Sequence, residues 1–478
     1  MDFDSSQRMT QDVAEAFRHI TSLFHQERSE PSQKPIVKVA SPTAVSSLHQ
    51  YALPEAPKPI ESVVEEAIKI FSYRLRNDHP RFFGFIPSPA HPLSWLGEML
   101  CSLFNTHGGS WLQSSGPSTI EAGLINFLAT KLGLPSETAG GLFVSGGSMA
   151  NLTGMTMARD RMLGSQEARL KGCIYVSEQT HFSVTKGLKV LGFVDSQIRK
   201  VPVNSKFRFD VESLKKTVQN DRAKGLLPFA VVATCGATNT GSIDPLQDIA
   251  DVAQKEKLWM HVDGAYGASI VLSKSYSHLA DGLGRADSIS LDAHKWFFQT
   301  FGCGIVFVRE KKHLLDSFAA NAEYVRDAVA AEETPNFWSY GIELTLPARA
   351  MKLWFTMRVL GLDTMGALID HGVTLAERAE AELRKLKDWE IFSPATLAIV
   401  VFRYAPRGLS ENGLDELNIA LSKKLLEENI AGALTTKLHG KAVLRVCAIS
   451  PQLSLEEMTE VITKIDETAK SMHYVRSI

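Results

Sequence analysis

The sequence predicts an α/β fold, in which a mostly parallel sheet with both faces covered follows a helical N-terminal segment and precedes a smaller α+β unit. Three observations carry this reading. Apolar runs suited to buried strands fall near residues 142–144, 173–177, 229–234, 258–262, 287–291 and 304–308, with helical stretches between them. Small, hydroxyl and ionisable residues gather just after those runs, at the strand ends where open α/β sheets bind ligands. After the helix that carries Lys352 to Phe355 the pattern changes, with strands at 397–402 and 442–447 set among charged amphipathic helices.

In chain order, a polar, helix-like lead of about 50 residues runs into the proline-bearing connector Leu53 to Pro59, which cannot continue a helix. A helix over 60–75 follows. Ser118 to Glu121 has the Ser-x-x-Glu form of a capping box and predicts a helix that opens there and ends near Gly133. Gly141 to Ser148 reads as strand, glycine turn and helix start, with the helix opening near Ser148. Ser454 to Glu457 is a second capping box and opens the last helix. These elements divide the chain into units at 1–89, 90–355 and 356–478. Internal repeats and low-complexity segments are absent from the sequence.

Composition limits the function. The chain has 478 residues, 44% hydrophobic and 22% charged, enough for more than one domain and a large core. Lys+Arg 51 against Asp+Glu 53 leaves a formal charge of −2, which implies no nucleic-acid partner. The five cysteines are scattered without CxxC or close Cys/His spacing, so reduced thiols in a cytoplasmic protein with no metal site are expected. No apolar stretch approaches the ~18 residues of a membrane span, and no leader-like h-region opens the sequence.

The chemistry is concentrated at the strand ends. Ser290 to Trp296 sets Lys295 after a short strand, where an amine held out of bulk water can form an imine with a carbonyl compound. Leu258 to Val262 delivers Asp263, followed by the small residues Gly264 and Ala265. A lysine for the aldehyde and an aspartate for the ring nitrogen are what pyridoxal phosphate requires. Gly146 and Gly147 let backbone approach a phosphate at the helix start, and neither GxGxxG nor GxxxxGK[ST] occurs, so a cofactor monoester is expected. His181 could stack on a flat ring, and Gly236 to Thr238 could touch its face.

With these motifs in order, the sequence resembles the group II pyridoxal-phosphate-dependent amino acid decarboxylases, aromatic L-amino acid decarboxylases among them, over nearly its whole length. The matching segments also include His79 to Pro87 and Arg349 to Trp354. The resemblance implies the aspartate-aminotransferase-like type I fold with a seven-stranded sheet. It makes Lys295 the Schiff-base lysine, Asp263 the partner of the ring nitrogen and His181 the stacking group. Gly147, Ser148, Thr238, Ala265, Asp292 and His294 line the cofactor, and Tyr324 is the α-carbon proton donor. It further implies a homodimer held by the N-terminal helices. Burial and a cationic ring would lower the Lys295 pKa toward a neutral nucleophile.

Phe85, Ser88 and His107 are the expected substrate contacts. Gly109 stands where the aromatic enzymes place a bulky ring, and Leu346 and Pro347 replace a usual pair of arginines, so the sequence departs from those enzymes here. No arginine is evident in these pocket segments, which ranks acidic amino acids lower. The expected reaction is decarboxylation of an L-amino acid, aromatic before others, to an amine. The alternatives are an aminotransferase, an aldehyde-forming oxidative deaminase, a decarboxylase of a non-aromatic amino acid, or a binding protein that keeps the fold.

Overall fold

The computed structural model describes residues 3–52, 56–319 and 335–477, with side chains from 9 to 473 within those stretches. Seven strands form the central sheet: β1 (Gly140–Val144), β2 (Gly172–Ser177), β3 (Ile198–Val201), β4 (Leu227–Thr234), β5 (Trp259–Asp263), β6 (Ser288–Asp292) and β7 (Gly304–Val308). Their spatial order is β1-β7-β6-β5-β4-β2-β3. Neighbours from β3 to β6 pair in parallel, whereas β7 runs antiparallel to both β6 and β1. Every residue of β1, β2, β5, β6 and β7 is buried, because helices cover both faces, and this is why β1 and β7 read as apolar runs while β5 and β6 carry buried polar residues toward the site.

A second sheet, of four antiparallel strands, comprises β8 (Trp389–Thr396), β9 (Ile399–Tyr404), β10 (Thr435–Leu438) and β11 (Lys441–Cys447), in the order β10-β11-β9-β8. Leu375, Phe402, Leu421, Leu444 and Ile465 belong to its own apolar core, and Phe83 from the distant N-terminal part is inserted there. The 34-residue helix Ala350–Leu383 reaches from the first core to the second and breaks at Gly361, whose φ of 73° favours glycine. Among the described residues no helix is long and apolar enough to cross a membrane.

Several expectations are corrected. The helix read from a capping box at Ser118 begins at Trp111 instead, with a non-helical break at Ser114 and Pro117 just inside the resumed turn. Glu121 does not cap. It is buried and accepts the Phe143 N–H at 3.1 Å, on the free edge of β1. The helix predicted over 60–75 ends at Ser72. Leu397, read as the start of a strand, turns the chain at φ 51° between β8 and β9. β3 escaped notice because it is short and carries Arg199 and Lys200 at the sheet edge. The second capping box forms as read: Ser454 Oγ accepts the Glu457 N–H at 3.1 Å and Glu457 Oε2 accepts the Ser454 N–H at 2.7 Å.

Candidate active site

The carboxyl ends of β4, β5 and β6 lie side by side, with Thr234 opposite Asp263 and Asp263 opposite Ser290. They open into a cavity of about 270 Å³ lined by Ser145, Gly146, Gly147, Ser148, Gln179, His181, Thr234, Thr238, Asp263, Ala265, Tyr266, Asp292, His294 and Lys295, among others. The nine residues predicted to hold the cofactor, from five separate segments, therefore line one cleft. Tyr324 lies outside the described residues.

Asp263 is buried at the end of β5 and accepts three hydrogen bonds, from Asn151 Nδ2 at 3.1 Å, Ser290 Oγ at 3.2 Å and the Ala265 N–H at 3.2 Å. Three donors suit a carboxylate that faces a cation. Lys295, in the one-turn helix Ala293–Trp296, places Nζ 2.9 Å from Asp292 Oδ2. Burial alone would lower its pKa, but the charge and hydrogen bond of Asp292, with Asp263 adding, win and raise it. The predicted lowering is thus reversed, because the anion three residues away was not counted against burial.

His181 caps the helix Phe182–Val190, with Nδ1 accepting the Ser183 N–H at 3.3 Å. Burial holds its imidazole below the ordinary value and outweighs Asp263. His294 donates from Nδ1 to the Cys303 carbonyl at 3.2 Å and is lowered by burial in the same way.

The cleft fits pyridoxal phosphate on its own evidence. Two fully buried oxygens, Asp292 Oδ1 and Thr234 Oγ1, have no hydrogen-bond partner among the described residues. The helix Gly147–Met162 opens at the cleft, and a Cβ at Gly147 would stand 2.7 Å from Asp292 Oδ2, so only glycine leaves that end open. A phosphate there would meet free N–H groups and the positive helix end.

The three predicted substrate residues sit outside this lining. Ser88 Oγ donates to the His294 carbonyl, Phe85 is exposed with φ 52°, and His107 accepts the Gly109 N–H at 3.0 Å, edge-on to Trp338. A Cβ at Gly109 would stand 2.8 Å from both His107 Cε1 and the Leu344 carbonyl, so the glycine serves that local fold.

Sequence reading missed Arg445 on β11. It is 4% exposed, its Nη1 donates to the Phe85 carbonyl, and its Nε and Nη2 have no hydrogen-bond partner among the described residues. Burial pulls this guanidinium down, and its electrostatic neighbours are Cys447 and the cavity-lining Tyr266, with no carboxylate. Asn151, Ser183 and Ser290, which hold the site residues, were missed as well.

Residues 42–405 match the family model described as the pyridoxal-dependent decarboxylase conserved domain. The chain belongs to this family. It is a pyridoxal-phosphate-dependent amino acid decarboxylase with the family's type I α/β architecture. An aromatic-L-amino-acid decarboxylase of Bacillus atrophaeus is 41% identical over 405 residues, 84% of each chain. An L-2,4-diaminobutyrate decarboxylase of Acinetobacter baumannii is 30% identical over 426 residues, covering 85% of this decarboxylase and 83% of that one. The crystal structure of Oryza sativa TDC with PLP and tryptamine superposes with a TM-score of 0.91 at 27% identity, covering 97% and 98% of the two chains.

Proposed function

We propose that this decarboxylase acts on an aromatic L-amino acid, releasing carbon dioxide and the corresponding amine. The observation that carries the substrate class is the charge of the cleft. Among its described lining residues Lys295 is the one lysine or arginine, and Asp292 already pairs with it. A second substrate carboxylate would find no counter-ion there. A substrate ammonium side chain would compete with Lys295 for Asp292 or with Asn151 for Asp263. The similarity to an aromatic-L-amino-acid decarboxylase supports the same choice.

Pyridoxal phosphate supplies the electron sink for the bond that breaks at the α-carbon. Lys295 Nζ tethers the cofactor and must shed its proton to do so, with Asp292 as the nearest acceptor at 2.9 Å. Asp263 holds the pyridine nitrogen protonated, and His181 fixes the plane of the ring. Gly147, Ser148 and Thr238 receive the phosphate end, with Ala265 and His294 completing the walls. Arg445, buried and without an anion, takes the substrate α-carboxylate, and Phe85, Ser88 and His107 border the approach. Tyr324 donates the proton to the α-carbon, a role that rests on the resemblance. Tyr324→Phe should then lose amine formation while retaining the cofactor.

We place the working form as a cytoplasmic homodimer. Phe17, Phe71, Leu103, Phe104 and Leu112 are exposed, and a groove between the helices Phe3–Ser29 and Ile60–Ser72 is lined by Ile20, Leu23, Ile68 and Trp95. Such an area calls for an apolar partner. The deciding assay offers the holoenzyme phenylalanine, tyrosine, tryptophan, glutamate and 2,4-diaminobutyrate while carbon dioxide and organic product are both read. Turnover confined to the last two overturns the substrate class, and keto acid without carbon dioxide would return the aminotransferase reading.

A further inference from the structure

Behind Asp263 runs a line of hydrogen bonds that the reaction above does not use. Trp259 Nε1 donates to Ser288 Oγ at 2.9 Å, Ser288 Oγ pairs with His261 Nδ1 at 2.8 Å, and His261 Nε2 pairs with Asn151 Oδ1 at 3.0 Å. From Asn151 the line divides, because Nδ2 reaches both Asp263 Oδ2 and Ser183 Oγ at 3.1 Å. Ser183 Oγ continues to His181 Nδ1 at 2.8 Å. Residues from β5, β6 and two helices thus meet at one amide.

The direction of every bond is fixed from its two ends. Trp259 can only donate. At the other end His181 Nδ1 already accepts the Ser183 N–H at 3.3 Å, so the Ser183 hydroxyl also points its proton there and accepts from Asn151. Reversing the amide would set Asn151 Oδ1 against the Asp263 carboxylate, oxygen to oxygen. Asn151 must therefore give its N–H groups to Asp263 and Ser183 and accept from His261. That requires an Nε2–H on His261, whose Nδ1 then accepts from Ser288. Burial keeps the His261 imidazole below its ordinary pKa against the pull of Asp263, so this neutral tautomer persists.

We propose that Asn151, its amide orientation set by His261, is the positioning residue that aims both ring-flanking groups, Asp263 and His181, at the cofactor. Asn151 borders the cleft from beneath its side-chain layer while His261 lies behind it, and both are within 1% of full burial. His261 is itself pinned, since a Cβ at Gly154 would stand 2.7 Å from its ring. The benefit is chemical: one amide supplies a donor to the carboxylate and, through Ser183, holds the imidazole plane, so neither group must be ordered by the incoming cofactor.

The inference rests on the decarboxylase reading of the cleft, and the test separates the two. Pyridoxal phosphate is titrated into the apoproteins of the wild type, Asn151→Ala, Asn151→Asp and His261→Gln, its dissociation constant is measured across pH, and each apoprotein is melted. The titratable groups facing Asp263 are His261 on its own strand, His181, Asp292, Lys295 and the Cys235 thiol, and none is altered in the Asn151 variants.

Asn151→Ala is expected to bind the cofactor about tenfold to a hundredfold more weakly with a nearly unchanged melt, since a charge-assisted hydrogen bond is lost and a second group is unmoored. Asn151→Asp should bind weakly at neutral pH and recover as pH falls, because two facing carboxylates must share a proton. His261→Gln, which can still donate to Asn151 Oδ1, should retain most of the wild-type affinity. A purely structural role would shift the melts but leave the pH dependence of Asn151→Asp the same as the wild type, and that result overturns the proposal. Should Asn151→Ala lose its cooperative melt, the isosteric Asn151→Asp carries the test alone. Wild type that takes up no pyridoxal phosphate overturns the reading of the cleft and this inference together.

Discussion

Lys295 and Asp292 form an ion pair at 2.9 Å in the cleft, and under the role proposed for Lys295 this pair would set how the cofactor is loaded. The ammonium form is favoured by Asp292, so the neutral amine grows only as pH rises. Asp292→Asn removes that anion. The pH midpoint for the rate of cofactor uptake by the apoprotein should therefore move to lower pH, as followed by the growth of visible absorbance in rapid mixing. Lys295→Ala should reduce carbon dioxide release to background, with borohydride no longer fixing cofactor to the chain. At this scale much was legible in the sequence. Lys295, Asp263, His181 and the glycine pair each end a local strand-to-turn motif, and all of them line one cleft. Asn151 and Arg445 carried no such signal, because Asn151 meets Asp263 across 112 residues of sequence and Arg445 meets Phe85 across 360.

Among the elements, β1 occupies the sheet edge and yet leads directly into the glycine turn at the cleft, so its free edge needs a partner. Glu121 supplies one, and its burial pushes the carboxyl up to about 8. An unfolded glutamate titrates near 4.3, so between roughly pH 4.3 and 8 the folded state binds the extra proton. This contribution to stability is complete below the unfolded pKa and is lost as pH rises through the folded one. Glu121→Gln still offers Phe143 an oxygen without the charge. Urea midpoints measured from pH 5 to 9 should fall with pH for the wild type and less steeply for Glu121→Gln. Glu121→Ala, which orphans the N–H, should lose about 1–3 kcal/mol at pH 5. The Ser118 to Glu121 spacing misled because a capping box is a purely local pattern, whereas the fate of Glu121 is set by a strand that arrives 22 residues later. At Gly147, alanine would press on Asp292 and should weaken cofactor binding about tenfold or more, by equilibrium titration.

For the whole molecule, the alternation of strand and helix was readable because buried parallel strands are apolar along their length, and the two-sheet division because the later strands change company. The assembly of surfaces was not readable, since exposure depends on what each helix meets. If the exposed aromatic residues of the N-terminal helices close against a second copy, light scattering after size exclusion should give twice the chain mass. The double variant Phe17→Glu and Phe71→Glu should then run at half that value. The segment from Phe82 to Ser88 ties the large and small sheets together. Phe83 exchanges backbone hydrogen bonds with Gly432 at 3.2 Å and Cys447 at 3.1 Å, while Ser88 grips the His294 carbonyl one residue before Lys295. It ties the two as a tendon would: a load on the C-terminal sheet would be carried through this segment to the turn that bears Lys295.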